Sequence, residues 1–81
     1  MGVRLTVLYF AALRDSARVA SEVVDTTAAD LRALYAQLDA RHAFGFPERQ
    51  LRVAVDGDFA DWGDAPTEGS EVSFIPPVSG G

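Results

Sequence analysis

The chain has 81 residues, 48% of them hydrophobic, and a formal charge of −5, so it can close one modest core near the lower size range for an independent domain. It contains no cysteine, which excludes disulfides, thiolate metal sites and a cysteine nucleophile, so any sulfur chemistry must use sulfur acquired elsewhere. Its seven basic residues are all arginine and form no clustered stripe, which argues against nucleic acid as a partner; no membrane partner is expected either, because the longest apolar run, Val7 to Leu13, is far short of the ~20 residues that span a bilayer.

From Val3 to Tyr9 the apolar residues Val3, Leu5, Val7 and Tyr9 occupy alternate positions, the period of a half-buried strand. The polar stretch Ala12 to Ala17 separates it from Val19 to Val24, whose β-branched residues predict a second strand paired with the first in an opening hairpin. Thr27-Ala28-Ala29-Asp30 has the form of a variant capping box with Thr27 as the cap, and Leu31, Leu34, Tyr35 and Leu38 then follow at helical spacing. Ala43 to Pro47 breaks that pattern. Leu51, Val53 and Val55 alternate as a third strand, Asp56-Gly57 signals a hairpin turn, Phe59 to Trp62 suits a short edge strand, and Glu71 to Ile75 closes the series with Val72 and Phe74 inward. The order strand, strand, helix, strand, short strand, strand predicts an α+β domain over residues 1–75, with one main helix packed across a mixed sheet in the ubiquitin-like β-grasp arrangement. Residues 76–81 are left as an extended tail.

No side-chain active site emerges. His42 has no partner pattern of His or Glu nearby, so a solvent-facing or capping role at the helix end is expected. Asp56, Asp58, Asp61 and Asp64 lack the calcium-loop register and its closing Glu, and no metal site is expected. The serines have no base at a recognisable spacing, and there is no glycine-rich phosphate loop.

The C-terminus has a different character. Pro76 and Pro77 cannot continue a ladder and stiffen the exit from the last strand, and Val78, Ser79, Gly80 and Gly81 then carry no bulky or charged group. Glycines without a Cβ atom can thread a narrow channel, so the end of the chain becomes the payload and the Gly81 carboxylate the working group. A frayed glycine-rich end is the plainer alternative, against which stand the two prolines, Val78 and the stop directly after Gly81.

Phe74-Ile75-Pro76-Pro77-Val78-Ser79-Gly80-Gly81, together with Val7-Leu8-Tyr9-Phe10-Ala11 and Leu51-Arg52-Val53-Ala54-Val55-Asp56, resembles the molybdopterin synthase small subunits, relatives of the thiamine-pathway sulfur carrier and of ubiquitin. The resemblance spans essentially the whole chain. It implies that an ATP-dependent adenylyltransferase resembling ubiquitin-activating enzymes adenylates Gly81, and that a persulfide donor then converts it to a thiocarboxylate. The tail would next enter the large subunit of molybdopterin synthase, as part of a heterotetramer, and donate sulfur to a pyranopterin precursor. The chain would thus count as an enzyme only as the sulfur-donating subunit of that cytoplasmic sulfurtransferase. It would bind no cofactor of its own, ATP being used by the activating enzyme. A ubiquitin-like protein modifier, and a carrier for thiamine, cysteine or tRNA thiolation, share the same activation chemistry and stay open as alternatives. The total absence of lysine leaves only the N-terminal amine as an isopeptide acceptor on the chain itself.

Strand parity supplies a docking surface independently. If Val7 and Tyr9 face the helix, Leu8 and Phe10 face away, and if Phe74 faces in, Ile75 faces out beside the tail root. The resemblance adds Phe59 to this partner surface. The alternative is that Phe10 and Phe59 fill the core.

Overall fold

The computed structural model describes residues 2–77. Strands β1 (Val3–Tyr9), β2 (Ser21–Thr26), β3 (Arg52–Val55), β4 (Asp58–Phe59) and β5 (Glu71–Ile75) form one sheet in the order β2-β1-β5-β3-β4. Only β1 and β5 run parallel, with Val7 opposite Val72 and Tyr9 opposite Phe74; the other neighbours are antiparallel. The alternation read from the sequence is realised: Leu5, Val7, Tyr9, Val53, Val72 and Phe74 are buried together with Leu31, Leu34, Tyr35 and Leu38 of helix α2 (Leu31–His42). At ~1.5–3 kcal/mol for each fully buried aliphatic or aromatic side chain, this layer dominates the stability of so small a domain. It is a ubiquitin-like β-grasp, with a mixed sheet and a helix laid across one face.

Several local expectations change. A second helix, α1 (Ala11–Ala17), replaces the expected polar loop, and it buries Leu13 completely. The second strand consequently starts at Ser21 and runs to Thr26, two residues later at each end than Val19 to Val24. Helix α2 is capped by Asp30, whose Oδ1 accepts from the Ala33 N–H at 2.8 Å, and not by Thr27. The preceding residues are held instead by Thr26, whose hydroxyl oxygen accepts from the Ala28 N–H at 3.0 Å while donating to Gln37 Oε1 at 2.7 Å. The edge strand is shorter than Phe59 to Trp62; after Phe59 the chain curls so that Trp62 and Asp64 carbonyls accept from the first α2 amides, Arg32 and Leu31. The 43–47 segment does more than end the helix: Phe44 is buried and Phe46 offers its carbonyl to the Tyr35 hydroxyl at 2.8 Å. The Asp56-Gly57 turn is as expected, with both residues at positive φ (51° and 90°) and Val55 opposite Asp58, the two-residue form that matches the sheet's twist.

Candidate functional site

Strand β5 lies in the middle of the sheet, between β1 and β3, so the segment leading to the C-terminus leaves from a strand that is paired along both edges. Val72 and Phe74 anchor it on the inner face, each fully buried. Beyond Ile75 the ladder stops, as two prolines demand, with Pro76 still buried and Pro77 exposed. The tail is therefore rooted by packing at its first residue. Val78, Ser79, Gly80 and Gly81, where the sequence places the threading arm and the reacting carboxylate, lie outside the described residues.

The sheet face opposite α2 carries the residues expected to meet partners. Phe59 is 75% exposed and so does not fill the core. It stands opposite Ala54 on β3, while Ile75 stands opposite Arg52, so both project outward by parity. Phe10 is 45% exposed; it follows Tyr9, the last β1 residue paired with β5, and keeps an extended backbone (φ −125°, ψ 147°) before α1 begins. Phe59, Ile75, Pro76 and Pro77 line one groove, with Leu51, Arg49 and Arg52. Phe10 lies across β5, on the β1 side. The structure thus brings Phe59 and Ile75 together at the tail root and flanks them with Phe10.

Sequence reasoning passed over Arg49 and Arg52. The signal was available for Arg52, because alternation with the buried Leu51 and Val53 forces it outward, onto the face of Ile75. Its guanidinium carbon sits 6.0 Å from the centroid of the Phe59 ring, at the outer limit of cation–π contact. Arg49 belongs to a 3₁₀ turn, Glu48–Gln50, whose existence no sequence period announced.

His42 departs from expectation. Its side chain is only 15% exposed, and Nε2 lies 2.7 Å from Glu22 Oε2 on β2. The Tyr9 hydroxyl donates to the same carboxylate, and Arg41 reaches its other oxygen at 3.3 Å. Burial alone would raise the Glu22 carboxyl, but the hydrogen bonds from Tyr9 and His42, with the charges of His42 and Arg41, hold it below the ordinary value. Burial, reinforced by Glu22, pushes the Tyr9 phenol above its ordinary range. This network sits on the helix side of the sheet, away from the tail groove, and staples β1, β2 and α2 together. Among the described residues no three His, Asp or Glu side chains converge as for a metal ion, and no helix is long and apolar enough to cross a membrane.

What this arrangement can do is present an anchored tail beside an apolar, arginine-flanked surface, and known proteins share the fold that carries it. The sequence profile of the ThiS family matches residues 7–81. SAMP1 from Haloferax volcanii superposes with a TM-score of 0.80 at 26% identity, covering 96% of this chain and 99% of that one. A putative molybdopterin converting factor, subunit 1, from Pyrococcus furiosus gives a TM-score of 0.79 at 28% identity, covering 94% and 99%. Subunit 1 in a complex with subunit 2 of molybdopterin-converting factor from Helicobacter pylori 26695 shares the fold, with a TM-score of 0.65 at 22% identity, covering 98% and 100%. No curated protein sequence matches the chain. The chain belongs to the ThiS family of small ubiquitin-like sulfur carriers.

Proposed function

We propose that the chain carries sulfur on Gly81 for molybdenum cofactor biosynthesis, as the small subunit of a molybdopterin synthase. A terminal carboxylate is ionised at neutral pH and a poor electrophile, so it needs activation. Its oxygen attacks the α-phosphorus of ATP on a separate adenylyltransferase, expelling pyrophosphate. A persulfide sulfur then displaces AMP from the acyl carbon, and a thiol reductant releases the thiocarboxylate. Gly80 and Ser79 leave the arm thin enough to enter a partner's channel, and the β-grasp holds the arm's root in one place, so that the domain's contribution is positioning.

The observation that carries this reading is the joint placement of the tail root and an exposed apolar surface, with Ile75 and Pro76 beside a Phe59 that is 75% exposed. The Pyrococcus furiosus relative, at 28% identity, and the Helicobacter pylori complex of subunits 1 and 2 support a large synthase subunit as the partner. A second reading, a protein modifier joined through Gly81 to lysines of other proteins, is favoured by the likeness to SAMP1. The two readings diverge on product. Thiocarboxylated protein mixed with a large synthase subunit and the cyclic pyranopterin precursor is expected to form the dithiolene, with two carrier chains consumed per pterin and both returned as free carboxylates. Stable lysine adducts on other proteins, with no dithiolene, would give the assignment to the modifier.

A further inference from the structure

Pro77 is the last described residue, and it lines a groove together with Arg49, Leu51, Arg52, Phe59 and Ile75. Both arginines are exposed and, among the described residues, neither has an acid within ion-pair distance, whereas Arg4, Arg32 and Arg41 are paired with Asp25, Glu48 and Glu22. Glu48, next to Arg49 in sequence, is held by Arg32 through both its oxygens. Asp61 shares a neighbouring hollow with Arg52 but is not within ion-pair distance of it. The groove thus combines an apolar lining with two cations that no described acid neutralises.

We propose that the chain's own last four residues, Val78 to Gly81, lie back in this groove as a strap, with the Gly81 carboxylate held by the Arg49 and Arg52 guanidiniums. The inference takes from the reading above only that Gly81 ends the chain in a free carboxylate. Four residues span at most about 14 Å, so a carboxylate tethered to Pro77 cannot end far from the groove that Pro77 already lines. The chemistry of the segment matches its lining. Val78 is the apolar residue that the side of Phe59 and Ile75 can take, Gly80 lets the backbone turn freely, and the terminal anion meets a planar fork. Arg52 is also backed by the Phe59 ring, 6.0 Å from its guanidinium carbon. Tethering gives this anion a high effective concentration at the two arginines, which a carboxylate on a separate molecule has only after meeting the cost of association. Exposed ion pairs are weak and screened by salt, so a partner's channel displaces the strap without a large barrier. While closed, the strap covers part of the apolar surface around Phe59 and Ile75.

Coupling with a water-soluble carbodiimide tests the proximity, because it joins a carboxylate to an amine with loss of one water and leaves guanidinium unreacted. The chain has no lysine, so Arg52→Lys or Arg49→Lys introduces its sole side-chain amine while keeping the charge. Peptide mapping of the monomer is expected to show Gly81 amide-linked to the substituted position. The yield should not depend on protein concentration, should fall as NaCl is added, and should exceed roughly tenfold that of Arg4→Lys, whose site lies at the opposite end of the sheet from Ile75. A second measurement removes only the charge: with Gly81 prepared as its carboxamide, the Arg49 and Arg52 side-chain N–H signals in NMR spectra at low salt should move and that of Arg4 should not. Linkage to Gly81 no greater in either groove variant than in Arg4→Lys, or arginine signals indifferent to the carboxamide, would overturn the strap. The carrier reading would then stand, since neither measurement uses the activating enzyme or sulfur. A native C-terminal peptide that runs beyond Gly81 would overturn both.

Discussion

At the residue scale, the Glu22 carboxylate is the most heavily partnered group of the domain, taking hydrogen bonds from Tyr9, His42 and Arg41. Sequence could not show this, because His42 and Glu22 lie twenty positions apart and only the β1–β2 pairing, Val7 opposite Glu22, brings the acid over the helix end. The network has a pH signature. Glu22 in the folded chain sits below its ordinary value of 4.5, so its stabilisation is present above that pH and is lost as pH falls through the lowered value. Tyr9 works in the opposite direction: raised above 10 when folded, it contributes below pH 10 and loses that contribution as pH rises further. Tyr35, pushed up to about 12 by burial and by the charge of Asp39, adds to the alkaline side. Urea unfolding as a function of pH should therefore fall off more gently below 4.5 for Glu22→Gln than for the unaltered chain, with a loss at neutral pH of about 1 kcal/mol. Parallel curves for the two proteins would show that the network does not couple to folding.

At the scale of elements, the long strongly periodic pieces are legible in the sequence and the short ones are not. β1, α2, β5 and the Asp56-Gly57 turn follow from period and turn chemistry, because each buries alternate or every third to fourth residue in one layer. α1 escapes because seven residues with one fully buried position, Leu13, carry no readable stripe; its formation is a tertiary effect of burying that leucine. The cap of α2 is also set by tertiary contacts: Thr27 and Asp30 are both good caps, and the choice of Asp30 follows from the 62–64 segment docking onto the Leu31 and Arg32 amides. The other end of α2 closes on Ala43 at φ 55° and ψ 51°, donating its N–H to the Asp39 carbonyl at 2.7 Å. A left-handed conformation costs an alanine about 1 kcal/mol that glycine does not incur. Ala43→Gly is accordingly expected to stabilise the fold by about 0.5–1 kcal/mol, seen as a higher thermal midpoint. A lower midpoint would mean that the Ala43 methyl makes packing contacts that outweigh the backbone strain.

For the whole molecule, the division of labour is that a firmly held sheet centre carries a short arm whose chemistry is completed by other proteins. Among the described residues, the apolar layer between sheet and α2 is built from side chains between Leu5 and Phe74, and Pro76 is buried at the root of the tail. Much of the site is legible in the order of residues alone: outward parity locates Ile75, and two prolines mark where the ladder must end. The arginine flank is not, because whether a guanidinium is free or spent depends on which acids the fold brings near it. The central claim, that Gly81 is the group that carries sulfur, is tested most directly by intact mass measured after incubation with the adenylyltransferase, ATP and a persulfide source. The account predicts a rise equal to the difference between one sulfur and one oxygen, located on the C-terminal peptide and absent when Gly81 is deleted, with the unfolding midpoint of the deletion variant nearly unchanged. An unchanged mass, or a sulfur located anywhere but the C-terminal residue, would contradict it.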